Sequence, residues 1–133
     1  MHISARAAER LNEEIRIYSF LVEIVYLYVS NSVIYKKIRQ TVQSNLPGSQ
    51  VLLFGSRARG DQDRFSDYDL LIITPLTFTS SEKIYWSTLL DKAIIEAVKI
   101  PVDLLLSSEE EVRQKQELPG HIIRSAIREG ITL

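Results

Sequence analysis

Three short apolar runs, separated by helical patterns, constrain the fold of this chain more than any other feature. They are residues 50–54 (QVLLF), 67–74 (DYDLLIIT) and 101–106 (PVDLLL). Runs of this length and composition, bounded by Gly or Pro, predict β-strands. With the helical patterns around them they give the order α-α-β-β-α-β-α. We therefore predict an α/β (α+β) fold, in which a small mixed β-sheet is flanked by helices.

The N-terminal part of the chain has the pattern of a helix that is apolar on several sides. Over residues 4–29 apolar side chains recur near the 3.6-residue period, and in the second half they extend around much of the circumference. Such a helix is expected to be buried by more than one neighbour. Ser32 is placed to cap a second helix that ends at Pro47-Gly48. We therefore divide the chain into an N-terminal helical extension, residues 1–32, packed on or docking the domain, and one globular domain, residues 33–133.

Capping residues mark the helices that follow. Thr79, with a glutamate three residues later, has the capping-box pattern and opens a helix to about residue 99. Ser107 or Ser108, followed by three glutamates, opens a last helical region. Pro119-Gly120 is expected to break that region in two.

Composition limits the kinds of site that the chain can carry. Its 133 residues correspond to one domain, and the absence of cysteine excludes disulfides, zinc–thiolate sites and thiol nucleophiles and fits a cytosolic protein. The net charge of −1 gives no global electrostatic reason to bind nucleic acid, so a nucleotide would need a local site. Arg16, Ser19 and Glu23 interrupt the apolar stretch 15–29, so we expect neither a membrane span nor a secretory signal, and a cytoplasmic protein.

Gly55 and Ser56 directly follow the first strand and open residues 55–66, a stretch rich in charges that we predict to be a loop. Glycine at such a position lets the backbone turn tightly, so that bare N–H groups and the serine hydroxyl can face a phosphate. A Gly-Ser pair alone is a weak signal, because most such glycines are ordinary turn residues.

Asp67 and Asp69 form a stronger pattern. In a strand, side chains two residues apart point to the same face, where two carboxylates repel unless a cation lies between them. Hard cations such as Mg²⁺ take oxygen ligands of this kind, and a pair of ions fits between such side chains. The alternative is a solvated turn at the start of the strand.

Asp103 is the only charged residue between Ile100 and Leu106. An unpaired carboxylate inside a buried strand would be unfavourable. If this strand lies beside the one that carries Asp67 and Asp69, Asp103 completes a metal site or acts as a general base. The alternative is an edge strand with Asp103 turned to water.

Taken together, these residues resemble the nucleotidyltransferase superfamily related to the palm of DNA polymerase β. The shared pattern is an apolar strand, Gly-Ser, a ten-residue spacer (residues 57–66 here), Asp-x-Asp, and a third Asp on a later strand. The sequence FGSRARG at residues 54–60 resembles the corresponding motif of the bacterial minimal nucleotidyltransferases. The resemblance covers about residues 33–133, including the Arg-Glu-Gly ending at residues 128–130, and implies the palm-like nucleotidyltransferase fold.

The resemblance also implies roles for the carboxylates. Asp67 and Asp69 would bind two Mg²⁺ ions that bridge the triphosphate of ATP or another NTP. Asp103 would share one ion and help to deprotonate the acceptor hydroxyl.

Phosphate contacts are implied in the same way. Gly55 and Ser56 would hold the phosphates of the NTP. Arg57 and Arg59 would neutralise the departing pyrophosphate, since guanidinium groups pair well with phosphate oxygens.

The acceptor is not set by these motifs. A chain of this length has no room for the extra domains that grip base and acceptor in larger members of the superfamily. A three-strand sheet covered on one face would leave the other open for substrate, with acceptor recognition coming from a second protein, a second copy or the acceptor itself. The resemblance implies an antitoxin whose partner is a small helical HEPN-type RNase toxin, which is neutralised in some systems by adenylylation.

Residues 11–29 are expected to form a docking surface for that partner or for a homo-oligomer, or else to be additional core.

Three functions remain open at this point. The first is an active nucleotidyltransferase that transfers a nucleoside monophosphate, AMP from ATP in the favoured version, to a protein hydroxyl. The second is a catalytically weak or inactive module that neutralises its partner by contact. The third, transfer to a small molecule such as an aminoglycoside, is less favoured because no second domain is available to form a pocket.

Overall fold

The computed structural model describes residues 2–62 and 66–133. Within them the elements are α1 (Ala5–Asn45), β1 (Gln50–Phe54), α2 (Gly55–Arg59), β2 (Tyr68–Thr74), α3 (Ser80–Val98), β3 (Val102–Ser108), α4 (Glu109–Lys115), α5 (Ile122–Glu129) and β4 (Ile131–Thr132). The three predicted strands are confirmed to within two residues at each end. The short β4 was not predicted.

The sheet has the order β3-β2-β1-β4. β1 pairs antiparallel with both β2 and β4, whereas β2 and β3 run parallel and are joined through α3. The sheet is therefore mixed, and the predicted fold class is confirmed. In this arrangement β3 is an edge strand, and the end of β1 lies level with the starts of β2 and β3.

Both faces of the sheet carry buried side chains. On one face Phe54, Leu71 and Ile73 pack with apolar residues of α4 and α5, such as Val112 and Ile123. On the opposite face Tyr68, Leu70 and Ile72 are also buried. Tyr35 of α1 meets Tyr68 edge-on there. The expectation of a three-strand sheet with one open face is therefore wrong, because α4 and α5 occupy the face that was left for substrate.

The predicted break between two N-terminal helices is also wrong, because α1 continues through Ser32. The segment around Ser32 contains serine and asparagine but no Gly or Pro, and these polar residues lower helix propensity only mildly. The chain divides into two compact units, residues 1–34 and residues 35–133.

Unit 1, residues 1–34, leaves its apolar side chains in solvent. Its large apolar residues from Leu11 to Val33 are between 46% and 73% exposed, so the expected burial by several neighbours is not observed in the described chain. In length and composition α1 is apolar enough to cross a membrane, a test that core helices of soluble proteins and N-terminal signal sequences also pass. The absence of a membrane span therefore stays a prediction.

Helix caps agree with the sequence patterns. Thr79 Oγ1 accepts from the backbone N–H of Glu82 at 3.2 Å, and the Glu82 carboxylate accepts from the Thr79 N–H at 3.1 Å. Ser108 Oγ accepts from the Glu111 N–H at 3.0 Å. The predicted loop at residues 55–66 is corrected in its first part, because residues 55–59 form the single-turn helix α2. Residues 63–65 of that stretch lie outside the described residues.

Candidate functional site

Strand register brings the predicted carboxylates together. Asp69 on β2 lies opposite Phe54 on β1 and opposite Asp103 on β3. Neighbouring strands are about 4.8 Å apart, and in-register side chains share one face of the sheet. Asp69 and Asp103 are therefore neighbours at the end of the sheet where β1 passes into α2. Asp103 lies on an edge strand and is exposed, as the alternative drawn for it expected, and its strand does lie beside the strand that carries Asp69. Its role in metal binding or as a general base stays a prediction.

Asp67 lies just before β2 rather than within it, and is exposed. Its negative charge nevertheless raises the pKa of Asp69. The predicted trio thus consists of one carboxylate on each of two adjacent strands and a third at the entrance to β2.

Gly55 is in close contact with Asp69. Its φ of +73° lies in the left-handed region, and a Cβ built there would overlap the Asp69 carboxylate oxygen. Only glycine allows the turn from β1 into α2 to approach the acid this closely. Ser56 follows as the second residue of α2 and is half-buried.

Glu129, which sequence reasoning did not single out, is part of the same cluster. The backbone N–H of Gly55 donates to Glu129 Oε1 at 2.9 Å. Arg59 Nη1 lies 3.3 Å from both oxygens of the same carboxylate. The residue is the last of α5, 74 positions from Gly55, and its only sequence signal was its place in the Arg-Glu-Gly ending.

Burial raises the pKa of Asp69 above its ordinary value, and the nearby charges of Asp103 and Asp67 raise it further. Glu129 acts in the same direction, while Arg59 is the one described residue that acts to lower this pKa. Within the described chain, the carboxyl group of Asp69 therefore lies among three other carboxylates with one cation to balance them. Such a place favours a bound cation.

The residues present fit a hydrated magnesium ion rather than a metal cage. Among residues 2–62 and 66–133, no three His, Cys, Asp or Glu side chains are grouped so as to hold a metal ion by themselves. Mg²⁺ keeps several of its waters and is commonly held by one or two carboxylates together with substrate phosphates. Asp69 and Asp103 meet that requirement, and the three-carboxylate metal site stays a prediction.

The two arginines that were predicted to contact phosphate differ in their surroundings. Arg57 donates to the Ser66 carbonyl oxygen at 2.7 Å and 3.1 Å, and its guanidinium lies 4.1 Å from the centre of the Tyr68 ring. Arg59 lies beside Glu129 and Asp61 at the cluster itself. The structure therefore places Arg59, but not Arg57, beside the carboxylates.

A polar pocket of about 270 Å³ adjoins Asp103 at the edge of the sheet. It is lined by Ser87, Thr88 and Asp91 of α3 together with Asp103 and Leu104 of β3. None of the α3 residues carried a motif signal, because each is an ordinary surface residue type on an amphipathic helix.

Comparisons with known proteins agree with this geometry. The family model described as "Nucleotidyltransferase domain" matches residues 35–131. A search of curated proteins found no match.

Solved structures with a similar fold include a crystal structure of a toxin–antitoxin with AMP-PNP. The chain is 21% identical to it, with a TM-score of 0.50 over 74% of this chain and 70% of that chain. A mutant of the toxin–antitoxin MntA-HpeT is similar at 19% identity and a TM-score of 0.49, over 74% of this chain and 70% of that chain.

Proposed function

The chain belongs to the nucleotidyltransferase domain family, and from that premise we propose that it transfers a nucleoside monophosphate, AMP from ATP, to a hydroxyl group on a protein. The observation that carries the proposal is the register of Asp69 against Asp103 next to the Gly55 turn. A phosphate-binding turn and two adjacent carboxylates are the parts that in-line transfer of a phosphoryl group requires. The remaining roles follow from where each residue lies.

In this proposal the turn holds the nucleotide and Asp103 acts on the acceptor. The N–H groups of Gly55 and Ser56 hold phosphate oxygens, and Arg59 neutralises charge on the departing pyrophosphate. Asp103, exposed at the sheet edge, orients the acceptor hydroxyl and accepts its proton as that oxygen attacks the α-phosphorus. Arg57 supports the turn by its contacts with Ser66 and Tyr68, so we assign it a structural role rather than phosphate binding.

Magnesium fits the same carboxylates. Asp67, Asp69 and Asp103 would hold the ions, which supply charge neutralisation for the triphosphate and the reacting oxygens. Asp69, whose pKa is raised by burial and by its acidic neighbours, is the residue that gains most from a cation.

A protein acceptor, specifically a small helical HEPN-type toxin partner, is supported by two observations. A structure with a similar fold is a toxin–antitoxin with AMP-PNP. Independently, unit 1 presents large apolar side chains along an exposed helix, which is what a helical partner could cover. We propose that the partner docks there and supplies the acceptor hydroxyl, and that both proteins act in the cytoplasm.

The test is transfer of label from ATP. The purified chain is incubated with labelled ATP, Mg²⁺ and the product of the neighbouring gene, and the label on each protein is measured. We expect label on the partner, reduced about 100-fold or more in Asp69→Asn and in Asp103→Asn, the usual effect of removing transition-state stabilisation. Glu96→Gln, which removes an exposed carboxylate on α3, is the matched control and should transfer normally.

A second candidate, neutralisation by contact alone, is favoured by the exposed apolar side chains of unit 1. It predicts that Asp69→Asn protects cells from the partner as well as the wild-type chain does. Absence of label transfer together with full protection would replace the enzymatic proposal by this one.

A further inference from the structure

We propose that the Glu129 carboxylate occupies the position of a substrate phosphate oxygen, and that a nucleoside triphosphate must displace it to bind. The inference rests on the proposed nucleotidyl transfer and adds to it a residue that sets nucleotide affinity. Glu129 is then an internal competitor of the triphosphate, held at the turn that the substrate needs.

The first support is the atom that Glu129 binds. Gly55 opens α2 directly after β1, at the turn whose N–H groups are expected to receive phosphate. That N–H already donates to Glu129 Oε1 at 2.9 Å. Carboxylate and phosphate oxygens are both anionic acceptors, so they compete for one donor.

The second support is the cation. Arg59 Nη1 is 3.3 Å from both Glu129 oxygens, so the carboxylate engages the arginine nearest the site as well as the amide. A triphosphate that replaced Glu129 would receive the same pair of donors.

The third support is that Glu129 is poorly placed electrostatically. It ends α5, where the helix dipole is negative, and its charge acts unfavourably on Asp69. Arg59 Nη1 pairs with Glu129 Oε1 at 3.3 Å, but the same guanidinium also pairs with Asp61, so Glu129 shares this cation with a second carboxylate. A carboxylate held in this way is displaced more easily than one in a balanced ion pair.

The backbone around Glu129 is held by secondary structure, whereas its side chain can change rotamer. The Gly130 N–H donates to the Ala126 carbonyl oxygen at 2.8 Å, and β4 then pairs with β1. The Glu129 side chain is 28% exposed and has three rotatable bonds, so it can turn to solvent without disturbing the helix. Displacement is therefore local to one side chain.

The test measures binding rather than turnover, using the full-length chain with Mg²⁺. Dissociation constants are determined for a non-hydrolysable ATP analogue, for inorganic triphosphate and for adenosine. We expect Glu129→Ala to bind the analogue and triphosphate about tenfold more tightly, the equivalent of one charged hydrogen bond. Adenosine, which lacks the competing group, should bind the same. A residue with only a structural role would not separate these ligands.

Further variants keep the test decisive. Glu129→Gln retains an acceptor for Gly55 but loses the charge, and should give a smaller gain if Glu129→Ala folds poorly. Glu96→Ala, on α3, is the control and should change none of the three constants. Unchanged or weaker triphosphate binding in both Glu129 variants would overturn the inference and leave the proposed function intact. No binding of triphosphate or analogue by any form would overturn both.

Discussion

At the level of single side chains, Asp69 is in an environment that disfavours its charged form. Burial, Asp103 and Asp67 together raise the pKa of Asp69. A carboxyl group with a higher pKa in the folded protein than in the unfolded chain lowers stability once the pH exceeds its unfolded pKa of about 3.9. The loss is complete above the folded pKa. The ionised Asp69 carboxylate therefore lowers the free energy of unfolding at neutral pH, and the same environment attracts cations.

Asp69→Asn should therefore be more stable than the wild-type chain at neutral pH. The gain should shrink as the pH falls through the folded pKa and vanish below about pH 4, where both forms are uncharged. Thermal unfolding without divalent cations, followed from pH 3.5 to pH 8, measures this difference. Adding Mg²⁺ should raise the Tm of the wild-type chain more than that of the variant. A variant that is less stable at pH 7.5 would contradict the account.

Gly55→Ala tests the close approach of the turn to Asp69. The added methyl would overlap the carboxylate oxygen at a positive φ, so activity should fall about 100-fold, as when a catalytic group is misplaced. Gly60→Ala is a matched control, because Gly60 also has a positive φ but, apart from its chain neighbours, no atom of the described residues lies within 4 Å of its Cβ position. Both variants should lose about 1–2 kcal/mol of stability through backbone strain. Equal activities of the two variants in a labelled-ATP assay would show that the contact with Asp69 is irrelevant.

Sequence patterns predicted the Gly55 turn and the convergence of Asp69 and Asp103, because both depend on local spacing and strand pairing. Glu129 could not be found in that way. Its donor lies 74 residues earlier, and the contact exists only once α5 packs near β1. The phosphate role of Arg57 stays a prediction, because the sequence of a turn does not distinguish an arginine that stacks on Tyr68 from one that binds an anion.

At the level of helices and strands, capping residues predicted well where helices begin. Which faces of the sheet are covered was predicted poorly. Thr79 and Ser108 both cap the helices for which they were proposed. The prediction that one face of the sheet is open was wrong, although the sequence contained a signal against it. In β2, Leu70 to Ile73 form an unbroken apolar run, which is typical of a strand buried on both faces. The continuity of α1 was missed because Ser and Asn weaken a helix without ending it.

Thr79→Ala tests the capping box of α3. Loss of the 3.2 Å bond to the Glu82 N–H should lower the free energy of unfolding by about 1 kcal/mol. Thr77→Ala, two residues earlier and exposed, is the control and should have no measurable effect. Urea denaturation measures both. Equal stabilities of the two variants would mean that packing on β3, rather than the cap, determines where α3 begins.

For the chain as a whole, the two units differ in how much apolar surface they bury. Residues 35–133 contain the buried core, whereas the helix of residues 1–34 exposes its large apolar side chains. The family match begins at residue 35, so the nucleotidyltransferase domain and the exposed apolar segment are separable in sequence. A helix that is apolar on several sides is stable in water only when something covers it. We have proposed a helical protein partner as that cover.

Val22→Asp with Val25→Asp tests this proposal at the middle of the exposed segment, where both side chains are at least half exposed. The pair should abolish co-purification with the partner and any self-association by light scattering. Binding of the ATP analogue should be unchanged, since these residues lie outside the family match. Glu9→Asp, which keeps the charge near the helix start, serves as the control. Retained partner capture would place docking on residues 35–133, and partition of the wild-type chain into lipid vesicles without a partner would show that a membrane covers the helix instead.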